Sequence, residues 1–525
     1  VIDIATTWGR TVEMGCVQGY PCRIYTQRPR SVGALLREAR RWQGRTFIVE
    51  GAQRLTYAAF EVAVARVATQ LQARGVHTGD RVVLLAYNSI AWLTAFWAVQ
   101  SLGAVAVLCN AWWGTQETSA AIADIDAAWV LADLTEKRGL QHRPFVIDMS
   151  VVRQWAGDSA DPALPPLPDV AEDAVAIIMF TSGTTGRAKG VLMSQGGVVA
   201  NLQNLLVLTG RLPHEIPPDA PGTVSLLTVP LFHLAGVQVS ISTLLTGGRL
   251  VLQQGRFDPG AVLRLIEAEQ VRVWGSIPTM VSRVLEHPDV GKYDLSSLRS
   301  IPMGGAVISP ELRANIPQVF VGVSKRVGSL YGCTEAGGIL AAGSADDLRN
   351  RPGCVGKPLP VVELRILHPD EQGIGEIAAR TPTATLGVWG QTETITDAEG
   401  WVRTGDLGRI ENGYLYLSGR SKDIVIRAGE NIACAHVEQC LLLHPSVQEV
   451  AVLPLPHADL GEEVAAAVVP RDGHTITVAS LAAHAQSLLG KFEVPSRWWL
   501  RTEPLPTNAS GKIAKEVLKA QWRDS

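Results

Sequence analysis

Val175-Ala-Ile-Ile-Met-Phe-Thr-Ser-Gly-Thr-Thr-Gly-Arg-Ala-Lys-Gly190 is the stretch from which the rest of the chain is read. Val175 to Phe180 is a short apolar run rich in β-branched residues, the composition of a buried strand. It runs into Thr181, Ser182, Gly183, Thr184, Thr185 and Gly186, with Lys189 and Gly190 just beyond. Glycines allow such a loop to turn several backbone N–H groups toward one point. Hydroxyls add donors and the lysine adds a mobile positive charge, which together suit a polyphosphate. The loop is not a Walker A motif, which ends in Gly-Lys-Ser/Thr, because Ala188 precedes Lys189 and Gly190 follows it. Gly/Ser/Thr clusters are also ordinary turn chemistry, so the downstream residues decide.

Composition narrows the classes. At 525 residues, 46% hydrophobic and 18% charged, the chain reads as an ordinary soluble globular protein of two or more domains. A formal charge of −3 supplies no basic footprint for nucleic acid and no polybasic membrane patch. Seven scattered cysteines without CxxC spacing suggest reduced thiols and a cytoplasmic setting, and speak against a disulfide framework or zinc site. Asp3, Arg10 and Glu13 interrupt any apolar core of a signal peptide. Residues 82–116 carry no charge, long enough to span a bilayer. Yet the run divides into a strand (82–86), a cap at Asn88-Ser89, a helix (90–102) stopped by Gly103, and a second strand (104–108). That is a buried βαβ unit, and no transmembrane span is expected.

Residues 1–30 read as an irregular lead-in, 46–50 with 54–56 as a hairpin, and Thr56 as the cap of a helix from Tyr57 to about Arg74. Alternating strand and helix signals to about residue 200 indicate an α/β architecture. Residues 203–265 read as apolar strands around Pro230-Leu-Phe-His233-Leu-Ala-Gly236. From 362 to 417 short strands and turns suggest a β-rich subdomain, and beyond 423 a small α+β module follows.

Six blocks in order now carry a specific resemblance: Thr181–Gly190, Pro230–Gly236, Gly304–Ala306 with Tyr331-Gly-Cys-Thr-Glu335, Arg403-Thr-Gly-Asp406, Gly419–Asn431, and Pro506-Thr-Asn-Ala-Ser-Gly-Lys512. The sequence resembles the adenylate-forming superfamily, in its acyl-CoA synthetase and fatty-acid–CoA ligase branch. The resemblance implies a large N-terminal α/β domain (1–420) with a β-rich subdomain, and a small mobile α+β domain (421–525). It implies ATP, Mg²⁺ and coenzyme A as cofactors. A carboxylic acid is activated as acyl-AMP and then passed to the CoA thiol.

The resemblance assigns roles residue by residue. Thr181, Ser182, Gly183, Thr184, Thr185, Gly186 and Lys189 would hold the β- and γ-phosphates. Glu335 would ligate Mg²⁺, with Thr184, and Thr334 would contact the α-phosphate. Tyr331 would stack on adenine, with Gly304, Gly305, Ala306 and Gly332 lining the nucleotide site. Asp406 would accept the ribose hydroxyls and Arg420 would reach the ribose or phosphate. Lys512 would stabilise the charge that develops in adenylation. Lys422 would be the hinge and Gly429 would face the CoA pantetheine. His233, with Phe232 before it, stands where amino-acid-activating relatives carry an aspartate, which disfavours an amino-acid substrate. The acid pocket implied by the resemblance (237–241, 276–280, Met303, Gly304, 336–338) is mostly small or apolar, suiting a medium- or long-chain fatty acid or a bulky aryl or sterol-type acid.

One departure stands out: Cys434 replaces the usual proline and His436 the first of two glutamates, while Glu438 keeps the second. It bears on thiol delivery more than on adenylation. The rival readings are loading of a carrier-protein thiol, disfavoured because no insertion is evident near 420–429, and a non-catalytic nucleotide-binding homologue. The expected partners are the acid and CoA, not nucleic acid, with room left for a homodimer.

Overall fold

The computed structural model describes residues 7–523, apart from 141–142, 182–187, 306–307, 309, 324–326, 352, 393, 421–422, 428–429, 458 and 509–510; for 181, 310–311, 327, 420, 430–431 and 523 only the backbone is described. The strand Val175–Thr181 lies inside a seven-stranded sheet. Parallel neighbours on one side are Val105–Leu108, Arg81–Leu85, Trp129–Ala132 and Val146–Asp148. On the other side it turns back into the antiparallel strand Lys189–Ser194, and Gly387–Val388 closes that edge. The two strands that flank the glycine- and hydroxyl-rich stretch in sequence are therefore antiparallel neighbours, with Lys189 and Gly190 opening the second.

The uncharged stretch behaves as its punctuation indicates. Ser89 caps the helix Ile90–Ser101 by accepting from the Trp92 N–H at 3.1 Å. Every residue of that helix is buried, which explains why it carries no charge: an ion placed there would lose its hydration with nothing to replace it. Trp92 stacks on Phe96, and Trp97 meets Phe96 edge-on. A five-stranded sheet contains Val224–Leu227, Arg249–Leu252 and Thr46–Glu50 in parallel, with the expected hairpin strand Gln53–Thr56 at its edge. Thr56 caps the helix Tyr57–Gln72 through the Ala59 N–H. One continuous hydrophobic core unites these two sheets and their helices.

Two expectations are corrected. Residues 12–25 are not irregular: Val12–Val17 and Tyr20–Tyr25 pair as a hairpin. Gln18 and Gly19, at φ 54° and 83°, form the two-residue turn whose twist suits antiparallel strands. The 203–265 stretch is more helical than expected. It holds the end of the helix Gln195–Leu208 and the helices Leu234–Leu245 and Pro259–Glu269, besides two strands. Continuous apolar runs do not separate a buried helix from a buried strand by period.

An eight-stranded sheet (Ile301–Gly304, Val327–Cys333, Gly338–Gly343, Cys354–Pro358, Tyr414–Arg420, Val402–Glu411, Gly375–Arg380, Glu363–Leu367) includes the β-rich part and has a separate apolar core. The smaller C-terminal domain is built on Ile424–Arg427, Glu430–Ala433, Gly461–Pro470, Val447–His457 and Arg497–Leu500. Helices Cys434–Leu442 and Val478–Leu488 cover one face, and Leu518 and Trp522 of the helix Lys515–Arg523 pack on the other. Both its cores are drawn from residues 425–522 alone. A domain with its own core can move as a body.

Candidate active site

The Tyr331–Glu335 block sits where the strand Val327–Cys333 ends and turns back. Thr334 C=O accepts from the Gly337 N–H at 2.9 Å. Glu335 C=O accepts from both the N–H and the hydroxyl of Thr385, and Ala336 C=O from the Thr383 hydroxyl at 2.6 Å. Gly337 adopts φ +68°, and a Cβ there would lie 1.7 Å from the Thr383 carbonyl oxygen. Beside it, Asn201 accepts from the Ile339 N–H. The turn is thus clamped from the 381–385 segment and from a buried helix, so the side chains of Thr334 and Glu335 sit on a fixed frame. Thr383, Thr385 and Asn201 escaped the sequence reading. The Thr381-Pro-Thr-Ala-Thr385 cluster was a visible turn signal without a partner to clamp.

Tyr331 is buried, and its hydroxyl donates to Asp406 Oδ2 at 2.9 Å. Burial first, and then the Asp406 carboxylate, push the phenol far above its ordinary pKa, so it stays a donor. Asp406, itself buried, lies directly opposite Arg420 in the register of Val402–Glu411 with Tyr414–Arg420. Its N–H donates to the Thr404 hydroxyl, which in turn donates to the Ile377 carbonyl. Tyr331, Asp406 and the Arg420 backbone therefore form one cluster on the eight-stranded sheet.

A second cluster joins the domains. Lys512 is held to Asn508, whose Oδ1 accepts from the Lys512 N–H and whose N–H donates to the Lys512 C=O, and Thr507 bridges Ile513 beside them. Its side chain reaches the large domain at Gly305: a Cβ on Gly305, whose φ is +81°, would stand 3.1 Å from Lys512 Cε and 3.8 Å from Nζ. Next to it, Thr279 donates to the Gly511 carbonyl at 3.0 Å. His233 is close enough to sense the lysine charge. Burial and then Lys512 lower its pKa to about 4, so the ring is neutral at physiological pH. It precedes the helix Leu234–Leu245, lies 4.7 Å from the Phe232 ring, and its Nε2 makes no hydrogen bond among the described residues. Asn88 fixes this loop by donating to Val229 C=O and accepting from Leu231 N–H.

Lys189 is half-buried opposite Thr181, at the foot of the glycine-rich loop. Gly304 ends its strand beside Leu330, and a Cβ on Gly332 would run into Gly338 C=O at 2.1 Å. Ser182, Gly183, Thr184, Thr185, Gly186, Ala306, Lys422 and Gly429 lie outside the described residues, as do the side chains of Thr181 and Arg420. Among the described residues no group of three or more His, Cys, Asp or Glu could hold a metal by itself. A half-buried carboxylate such as Glu335 fits Mg²⁺ that arrives with phosphate oxygens, since Mg²⁺ takes few protein ligands. A buried carboxylate–phenol pair and a side-chain-free cradle under a cation fit a nucleotide equally well.

The departures have a structural account. Cys434 is buried at the start of its helix, and burial raises its thiol to about 12. His436 is exposed, 3.9 Å from Glu493. Glu438 is paired with Lys515 at 2.8 Å and accepts from the Val452 N–H, while Lys515 also reaches Asp423. The two carboxylates hold the half-buried Lys515 charged.

Comparison with known proteins gives the family. The model of the AMP-binding enzyme family matches residues 35–389, and that of the AMP-binding enzyme C-terminal domain matches 436–512. A feruloyl-CoA synthase of an Amycolatopsis species is 36% identical over 93% of this chain and 98% of its own. An indoleacetate–CoA ligase of Aromatoleum aromaticum is 30% identical over 91% of this chain and 95% of its own. Among solved structures, ATP-bound MatB from Rhodopseudomonas palustris superimposes with a TM-score of 0.83 at 28% identity, over 94% of this chain and 99% of that one. The chain belongs to the AMP-binding enzyme family, whose fold and site define an adenylate-forming enzyme. Within that class it is an AMP-forming acyl-CoA synthetase, an ATP-dependent acid–CoA ligase that uses Mg²⁺ and coenzyme A. No helix among the described residues is long and apolar enough to cross a membrane.

Proposed function

We propose that the protein activates a bulky, largely apolar aryl acid, with Lys512 as the cation of the first half-reaction. The observation that carries the reading is the Lys512 side chain at Gly305, beside neutral His233. A carboxylate oxygen attacks the α-phosphorus and pyrophosphate leaves; the ammonium stabilises negative charge that builds up between the two anions. Thr181–Gly186 and Lys189 hold the β- and γ-phosphates, Thr334 the α-phosphate, and Glu335 with Thr184 the Mg²⁺, which neutralises phosphate charge when bound. Tyr331 stacks on adenine, and its bond to Asp406 leaves that carboxylate oriented for the ribose hydroxyls. Arg420, opposite Asp406, reaches ribose or phosphate. The domain 421–525 then turns about Lys422 and withdraws Lys512, and the loop at Gly429 faces the pantetheine. The CoA sulfur attacks the acyl carbonyl and AMP leaves.

The substrate class rests on the acid-pocket segments. Val237, Ile241, Ile277, Met280 and Met303 are apolar and buried. Within the same segments Gln238 Nε2 and Ser276 Oγ are shielded from solvent and make no hydrogen bond among the described residues. Buried donors without partners are costly, and a polar substituent on an otherwise apolar acid would satisfy them. The feruloyl-activating relative, at 36% identity against 30% for a long-chain-fatty-acid ligase, supports an aryl body over a linear chain. Incubation with ATP, Mg²⁺, CoA and a panel of ring-hydroxylated aryl, unsubstituted aryl and saturated fatty acids is expected to yield acyl-CoA, AMP and pyrophosphate in equal amounts. The ring-hydroxylated acid should lead in kcat/KM by about tenfold or more, and Gln238→Leu should erase that lead. A preference for the saturated fatty acid would contradict the assignment.

A further inference from the structure

The helix Pro278–Leu285, with Glu286 capping its end, has an apolar face of Met280, Val281 and Val284 in the large-domain core. Its other face presents Thr279, Arg283 and Glu286, spaced i, i+4 and i+7, on one side of the cylinder. All three meet the C-terminal domain. Thr279 donates to Gly511 C=O, one residue from Lys512. Arg283 approaches Glu449 at 3.9 Å. Glu286 accepts from Gln448 Nε2 at 2.9 Å and pairs with Arg471 at 3.8 Å.

Glu449 links this face to the catalytic turn. While one oxygen faces Arg283, the other accepts from the Leu505 N–H at 2.7 Å. Leu505 leads directly into Pro506–Lys512, and Pro506 C=O accepts from the Ala514 N–H at 2.7 Å. Gly511, at φ +76°, packs on the residue that precedes the helix: a Cβ there would stand 2.5 Å from Ile277 Cδ1. The helix thus touches the small domain at the turn, at the strand that supports the turn, and at the far rim.

We propose that Thr279, Arg283 and Glu286 form a polar docking track that seats the C-terminal domain in its adenylating orientation, with Glu449, Gln448 and Arg471 as its counterpart. They are positioning residues that act through Lys512, and the proposal rests on the adenylation role given to that lysine above. The ion pairs are half-exposed, so each is weak and screened by salt. Weak, polar contacts suit a surface that holds one orientation and releases it in each turnover, whereas an apolar interface of the same size would resist opening.

The test is a charge swap at the rim, remote from the acid and nucleotide. Glu286→Arg alone, and Arg471→Glu alone, should each lower acid-dependent ATP–pyrophosphate exchange by about tenfold. Each should leave the reaction of supplied acyl-adenylate with CoA unchanged or faster. The double variant Glu286→Arg/Arg471→Glu should recover most of the exchange. Unchanged exchange in the single variants, equal loss of both half-reactions, or a double variant worse than either single would overturn the track. Lys512→Ala assayed alongside separates the two readings: if it keeps exchange, the lysine assignment fails, whereas if it alone loses exchange, only the docking track fails.

Discussion

Glu38 shows what burial does to a single charge here. Its carboxyl lies against Trp8, which donates Nε1–H to it, and burial raises its pKa from 4.5 to about 7 despite that bond and the nearby Arg41. Between pH 4.5 and about 7 the unfolded chain gives up a proton that the folded one keeps, so stability falls as pH rises through that window. Above it the full cost is reached, about 3 kcal/mol at ~1.4 kcal/mol per pH unit. Glu38→Gln keeps an acceptor for Trp8 without the charge. It is expected to raise the melting temperature at pH 8 and to leave it nearly unchanged at pH 4, by scanning calorimetry at both values; an equal gain at both would refute the charge argument. Tyr331 is the residue where the structure adds most to the sequence reading. Its block marked it for the nucleotide site, but the bond to Asp406 joins residues 75 apart in the chain and had no local trace.

Among the elements, caps and punctuation were the most legible features. Ser89 and Thr56 were readable because a hydroxyl oxygen before an apolar run accepts from helix N–H groups that have no other acceptor. The hairpin at 12–25 was not readable, since its turn uses Gln18 at positive φ where asparagine or aspartate usually signals one. Likewise the clamp of the Tyr331–Gly337 turn depends on Thr383 and Asn201, which only tertiary folding brings there. Two glycines make this clamp testable. Gly337→Ala would drive a methyl into Thr383 C=O, while Gly413, at φ +78°, has nothing within 4 Å of its Cβ position. Gly413→Ala is expected to cost about 1–2 kcal/mol, the price of left-handed backbone alone. Gly337→Ala should cost several kcal/mol more and lower soluble yield, read by chemical denaturation; equal costs would mean that the clamp yields easily.

At the scale of the whole molecule, the two-domain plan was legible because a change from helix–strand alternation to short strands, and then to a small α+β unit, reflects separate cores. The seating of one domain on the other was not, because it depends on half-exposed polar side chains such as Arg283 and Glu286 that look like any solvated face until their partners are in view. That seating brings Lys512 to Gly305, and the proposed chemistry depends on it. The most direct measurement is a comparison of the two half-reactions in Lys512→Ala. The expected result is loss of acid-dependent ATP–pyrophosphate exchange by about 100-fold or more, with reaction of supplied acyl-adenylate and CoA within about threefold of the unsubstituted protein. Equal loss in both half-reactions, or exchange that survives, would contradict it.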